Sequence, residues 1–367
     1  MELKRTAFYE IHRKLGARLV EFGGYEMPVQ YTSILEEHKR VRETVGIFDV
    51  SHMGEVEIWG DDALAFVQRI TVNDASKLIE GSAQYSAMCY GDGGIVDDLL
   101  VYHRGDHYML VINAANIAKD LEWMRQNLCG NATIKNCSDD ISLLAVQGPK
   151  SLATLQKLTH TDLSSFEYYH FVRDRLAGVE MLVSRTGYTG ELGFELFFSS
   201  EVIAGETVWE AIMEAGKEYS IAPVGLGARD TLRLEMGYCL YGNDIDSTTH
   251  PLEAGLGWLT KLDKDGFIGR DVLLRAKKEG LRRKIVGFTL ADKAFPRQGY
   301  PIYSNGSAIG SVTSGTFSPI LDKGIGLGYV AIECARPGTH IHVAIRNRQV
   351  PATVVSLPFV GKKEYAG

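Results

Sequence analysis

What this sequence lacks narrows its chemistry before any motif is read. Cysteine is sparse, with Cys89, Cys129, Cys137, Cys239 and Cys334 odd in number, scattered and without a CxxC pair. That usage gives no disulfide framework and no zinc or thiol-redox signature, and it suits reduced, mostly buried thiols. Long apolar runs are missing too: no window approaches the roughly 18 to 20 residues of a membrane span. The opening "MELKRTAFYEIHRKLGARLVEFGG" carries charge throughout and has no apolar core of a signal peptide. The expectation is a soluble cytoplasmic protein without a membrane partner, or one of the mitochondrial matrix if a transit peptide has been removed. Positive charge is in deficit, with a formal net charge of −7, so a nucleic-acid partner is not expected.

Catalytic signatures are also absent. There is no GxSxG elbow and no GxxxxGK[ST] loop, and "GLGARD" lacks the third glycine of a dinucleotide fingerprint. No histidine stands in a local sequence that marks a catalytic base. His340 and His342 share one face of a strand, but two ligands without a third are a weak metal site, so no metal is expected. Protein nucleophiles and NAD or ATP chemistry are thereby disfavoured.

What is present is an ordinary globular composition, 45% hydrophobic and 23% charged, over 367 residues. That length is too great for one compact core, so two or three packed units are expected. The spacing predicts a Ser33-capped helix over "SILEEHKRVRE" and a half-buried strand over "GEVEIWG". A helix follows over "ALAFVQRI", then strands over "AQYSAMCY" and "GIVDDLLVYHRGDHYMLVIN", the latter a hairpin turning at Arg104 to Asp106. Asn113 is placed to cap the helix "AANIAKDLEWMRQNL", whose Ile117, Leu121 and Met124 fall on one face. Further on, "ISLLAVQGPKSLATLQKL" reads strand, turn, helix, and "VEMLVSRTGYTGELGFELFF" reads as two strands around a glycine-rich connection. A helix near 201–219 follows, then a glycine loop entering the helix of "GLGARDTLRLEMG". From Arg282 onward, short strands at even spacing suggest a small antiparallel barrel or sandwich, joined by the charged "KKEGLRRK".

One stretch stands out. In "GGIVDDLLVY" two carboxylates, Asp97 and Asp98, interrupt an apolar strand, where an unpaired ion costs roughly several kcal/mol. Strand geometry sends them to opposite faces, so one at most points into a given cavity. Tyr85 lies on the neighbouring strand, and Tyr188 and Glu195 flank "GYTGELGFE", whose Gly187, Gly190 and Gly193 allow a backbone to approach a flat ligand. A carboxylate such as Glu195 accepts two parallel N–H bonds from an amino-pyrimidine edge, and Arg229 at the mouth of its helix suits a ligand carboxylate. Plainer readings stand beside each: Asp98 bracing a turn, Tyr188 in the core, Arg229 paired with Asp230 or Glu235. The joint occurrence of these groups favours a ligand pocket.

Taken in order, "FGGYEMPVQY", "VGIFDVSHMGEVEI", "GGIVDDLLVY", "LLAVQGP", "SRTGYTGELGFEL", "GLGARDTLRLEMGYCLYGNDID", "HPLEAGLGW", "TSGTFSP" and "RPGT" resemble the aminomethyltransferase (T-protein) family of the glycine cleavage system over nearly the whole chain. The resemblance implies an α+β fold: a three-domain, cloverleaf-like arrangement of antiparallel sheets with covering helices, a C-terminal β-barrel and a central folate channel. The domains implied are 1–140, an α+β folate-binding region with parts of the second domain interleaved, 141–280, a second α+β domain, and 281–367, the barrel. It implies transfer of a methylene group from the aminomethyl-dihydrolipoyl arm of H-protein to tetrahydrofolate, a co-substrate, giving 5,10-methylenetetrahydrofolate and ammonia. Residue by residue, the catalytic aspartate falls on Asp98 and the pterin-binding glutamate on Glu195. Tyr85 and Tyr188 would line the ring, Arg229 would lie near the glutamyl tail, Tyr238 lies in the same block, and Tyr365 would be a terminal folate contact. Tyr25 stands where many members carry tryptophan, and the tail "PFVGKKEYAG" departs from better-known members. "KKEGLRRK" or "RNRQV" could meet an acidic carrier, although solvated charge is the plainer reading.

Two alternatives share the implied fold. One is a folate-dependent demethylase of a sulfonium or methoxy compound. The other is a folate-binding iron–sulfur assembly factor, toward which Cys239 is a partial coincidence.

Overall fold

The computed structural model describes residues 3–361; Tyr365 lies outside them. Besides the hairpin of Arg18–Phe22 and Tyr25–Gln30, three larger sheets organise the described chain. A five-stranded antiparallel sheet has the order Ala83–Cys89, Ile95–His103, Tyr108–Ile112, Gly54–Trp59, Thr133–Asn136. A six-stranded sheet has the order Phe171–Leu176, Val179–Ser184, Gly193–Ser199, Ile141–Gln147, Gly46–Asp49, Ala222–Pro223. Its last pair is parallel, and Gly46–Asp49 comes from far earlier in the chain than its neighbours. From Arg283 to Val355 six antiparallel strands close into a barrel, filled by Phe288, Ile302, Val312, Ile341, Val343 and Val354. Closure leaves this unit no open sheet edge.

The outer face of the five-stranded sheet is covered by the helices Ala63–Ile70 and Ile117–Gln126 over Val56, Ile58, Leu99 and Val101. The outer face of the six-stranded sheet packs on the helix Val202–Ala215 through Val208, Trp209 and Ile212. The inner faces of the two sheets meet each other. Their shared layer holds Phe48, Val50, Tyr102, Met109, Val111, Leu143, Ala145, Leu182 and Phe197. Tyr102 and Phe197 touch edge to face across it, 5.6 Å between ring centroids. Each such side chain removed from water stabilises the layer by roughly 1.5–3 kcal/mol.

This sandwich corrects one expectation. "GEVEIWG" alternates as a half-buried strand does, yet Gly54–Trp59 is buried on both faces, Glu55 fully and Glu57 nearly so. The second sheet covers the side that composition marks as polar. Ser33 caps the helix Ile34–Glu43, its side chain accepting from the Glu36 amide, as its position predicts. Asn113 does not cap: it precedes a short 3-10 turn, makes no capping bond, and spends its amide on the two aspartates described below.

Candidate active site

Alternation along two strands builds the site. On Ile95–His103, Leu99 and Val101 enter the helix-covered core, so Asp98, Leu100 and Tyr102 face the layer between the sheets. On the neighbouring strand Tyr85 is paired with Leu100 and Ala87 with Asp98, which puts Tyr85 on the same side. On Gly193–Ser199, Phe197 occupies the intersheet core and Glu195, two residues before it, shares its face. Asp98 and Glu195 are therefore polar groups at one end of an apolar layer, and both are half-buried.

Asp98 is held at both oxygens. The Tyr85 hydroxyl donates to its Oδ2 at 2.8 Å and the Asn113 side-chain amide to its Oδ1 at 3.0 Å. Burial, reinforced by the neighbouring charge of Asp97, pushes its pKa up to about 7, while the bonds from Tyr85 and Asn113 act in the opposite sense. Ionised Asp98 is the form that accepts a proton or stabilises a cationic carbon. Activity that depends on it should fall about tenfold per pH unit below that value. A kcat/KM profile with its acid limb near pH 7, absent in Asp98→Asn, is the expected result.

Glu195 Oε2 accepts from the Thr186 hydroxyl at 2.5 Å. Burial raises its pKa, opposed by Thr186 and by the charge of Arg229. Arg229 is half-buried at the first turn of the helix Leu226–Glu235, its guanidinium 4.7 Å from the Tyr188 ring centroid. Asp230 is taken by Arg233 and Glu235 by Arg42. Among the described residues the Arg229 side chain makes no hydrogen bond, which leaves its planar fork available. Tyr188 stacks on Tyr238 with centroids 5.6 Å apart and planes at 25°, and its hydroxyl donates to the Cys239 carbonyl.

The structure thus gathers Tyr85, Asp98, Tyr188, Glu195, Arg229 and Tyr238 around one region, all half-buried. It also corrects the reading of the glycines. A Cβ at Gly187 or Gly193 would lie 2.1 or 2.3 Å from the Gln147 side chain, and one at Gly190, where φ is +78°, would lie 2.4 Å from Met236. These glycines make room for Gln147 and Met236 beneath the loop. Gln147 then fixes the loop by donating to the Thr186 carbonyl at 3.2 Å and accepting from the Thr189 hydroxyl at 2.8 Å.

Several participants have no local sequence signal. Asn113 joins Asp97 to Asp98, and Asn116 donates to Asp97 at 2.6 Å. Trp258 is 64% exposed with its ring 6.3 Å from Tyr85, an aromatic rim beside Asp98. His52 and Glu55 are buried, and their side chains find no hydrogen-bond partner in the described structure. Burial and the charge of Arg229 lower the His52 pKa to about 3; burial and the charge of Glu195 hold Glu55 well above the carboxylate range. His52 is neutral near pH 7, and the charge of Arg229 acts on Glu195. A run of alternating polar residues cannot announce such groups, because most of the covering sheet comes from residues 141–199.

No group of three or more His, Cys, Asp or Glu that could hold a metal occurs among the described residues. Nor is any helix among them long and apolar enough to cross a membrane.

Comparison with known proteins meets this geometry over the whole chain. Residues 8–264 match the GCVT N-terminal domain and 283–361 the glycine cleavage T-protein C-terminal barrel domain. The chain is 54% identical to the aminomethyltransferase of Halothermothrix orenii, over 98% of this chain and 100% of that one. It is 52% identical to that of Chloroherpeton thalassium, over 98% and 99%. A crystal structure of glycine cleavage system aminomethyltransferase T from Bartonella henselae superposes with a TM-score of 0.92 at 32% identity, covering 99% of this chain and 100% of that one. The class so defined is that of the one-carbon transferases. The chain belongs to the glycine cleavage T-protein family.

Proposed function

We propose that tetrahydrofolate occupies the end of the intersheet layer, with its aminopyrimidine edge on Glu195, its rings against Tyr85, Tyr188 and Tyr238, and its carboxylate tail toward Arg229. The chain is an aminomethyltransferase of glycine cleavage; the substrate placement and the residue roles are our reading. The observation that carries it is the double anchoring of Asp98, a carboxylate with a pKa of about 7 beside the Tyr85 ring and near the stacked Tyr188 and Tyr238 rings.

In the reaction the methylene carbon of the aminomethyl-lipoyl arm loses its bonds to sulfur and nitrogen and gains bonds to N5 and N10 of tetrahydrofolate. The two protons displaced from N5 and N10 end on the dihydrolipoyl thiol and on ammonia. Asp98 orients the folate and takes up a proton as N5 attacks, and its charge favours the iminium character of the carbon in transit. A carrier arm, not a side chain, supplies the leaving group, and lipoylated H-protein is the partner that delivers it. Trp258, exposed next to Tyr85, is the side chain we assign to the mouth through which such an arm reaches Asp98. The domain limits proposed are 1–140, 141–280 and 281–367, with Gly46–Asp49 the interleaved strand. The bacterial relatives support a cytoplasmic setting. Their shared name gives no support to the demethylase or the assembly-factor reading.

Calorimetric titration tests the placement. Glu195→Gln keeps the shape of the site and replaces one acceptor oxygen by a donor, at a cost of about 2 kcal/mol, or a thirtyfold weaker Kd for tetrahydrofolate. Unchanged affinity would remove Glu195 from the pterin site.

A further inference from the structure

Asp97 has no part in the transfer chemistry above, yet it is more elaborately held than Asp98. Its Oδ1 accepts from Asn113 Nδ2 at 2.9 Å and from Asn116 Nδ2 at 2.6 Å, and its Oδ2 accepts from the Asn113 amide at 3.0 Å. Asp120, on the helix Ile117–Gln126, acts on it from the covering side, its Oδ2 has no hydrogen-bond partner in the described structure, and both carboxyls are fully buried. Asp120 Oδ1 is bonded to Lys119 Nζ at 2.7 Å, and that ammonium also donates to the Val96 carbonyl and lies 5.0 Å from the Tyr241 ring centroid. Burial raises the pKa of both carboxyls, which favours one proton and one negative charge on the pair. Asn113 connects it to the transfer site, since one amide nitrogen serves Asp97 Oδ1, Asp98 Oδ1 and the Asp98 carbonyl.

We propose that Asp97 and Asp120 are positioning residues that set the protonation of Asp98 by where their single shared charge resides. This rests on the assignment of Asp98 above. The titratable groups whose charge reaches Asp98 are Tyr85 from the adjacent strand, Asp97 on the opposite face of its own strand, Asp120 on the covering helix, Tyr188 from the glycine-rich connection and Cys239 from the turn after the helix Leu226–Glu235. Burial raises the pKa of Tyr85, Tyr188 and Cys239, so all three are neutral near pH 7. The charge of the aspartate pair is what remains to vary.

Two isosteric substitutions move that charge in opposite directions. Asp97→Asn leaves it on Asp120, beside Lys119 and away from Asp98, so Asp98 ionises more easily. Asp120→Asn fixes it on Asp97, next to Asp98, so Asp98 ionises less easily. Carboxyl-labelled aspartate followed by carbon NMR reads this directly, the Asp98 resonance being assigned by its loss in Asp98→Asn. The expected midpoints shift by about one pH unit, downward in Asp97→Asn and upward in Asp120→Asn, the scale of a relocated neighbouring charge. Midpoints that stay put, or move the same way in both variants, overturn the proposal, and where one variant fails to fold the sign of the other decides. A merely structural role would lower the unfolding midpoint without opposite shifts. Should the NMR midpoints move while the acid limb of kcat/KM does not, this inference stands and the catalytic assignment of Asp98 falls.

Discussion

Asp98→Asn lowers kcat by about a hundredfold to ten-thousandfold while leaving the fold and the tetrahydrofolate affinity close to those of the parent enzyme. Asparagine fills the same volume, and its Oδ1 still accepts from Asn113. Tyr85, which donates to Asp98 at 2.8 Å, rotates its hydroxyl and accepts from the new amide instead. What vanishes is the charge and the basicity. An amide neither takes a proton from the folate nitrogen nor opposes positive charge at the carbon being transferred. Single-turnover kinetics with preloaded carrier check this against the binding isotherm. A rate within a factor of a few of the parent would withdraw Asp98 from the chemistry.

Arg233→Met destabilises the protein by about 3–5 kcal/mol, the cost of breaking a buried ion pair by removing one partner. The Arg233 guanidinium is 2% exposed and is used on every side. It donates to Asp230 at 2.8 Å, to the Tyr238 carbonyl at 2.9 Å, to the fully buried Asp244 at 2.7 Å and to Ser314 of the barrel at 2.8 Å. Asp244 in turn accepts from Thr313, Ser314 and the Leu240 amide. One cation thus ties the Arg229 helix, the Tyr238 turn and the barrel together. Methionine matches the length and abandons Asp244 as an uncompensated buried charge. Urea unfolding of the variant reads the loss, and a midpoint equal to the parent's would show that the network is solvated and weak. Tyr238 stacks on Tyr188, so loosened folate binding should accompany the lost stability.

What the sequence made legible were features set by neighbours along the chain. Period-2 alternation puts Leu99 and Val101 on one face of their strand and Asp98 and Tyr102 on the other, and the turn at Gly105 closes the hairpin. Ser33 caps its own helix three residues away, and the even spacing of short strands after Arg282 anticipates the closed barrel. Partnerships across the fold were not legible. Asn113 sits where a helix cap belongs, and its true partners lie fifteen and sixteen residues back on another strand. Gly187 and Gly193 signal close approach, but only the fold shows that Gln147 makes it. Gly46–Asp49 gives no hint that it joins a sheet whose other members begin at Ile141. The arrangement of Asp98, Glu195 and Arg229 in one pocket was reached through family resemblance, and the two facing sheets supply its physical reason.

The most direct test combines purified protein, tetrahydrofolate and aminomethylated H-protein, and follows ammonia and 5,10-methylenetetrahydrofolate together. Equal amounts of both products, formed only with the lipoyl carrier and at a rate that falls below about pH 7, are the predicted result. Tetrahydrofolate binding without either product would contradict the transfer mechanism assigned to this site.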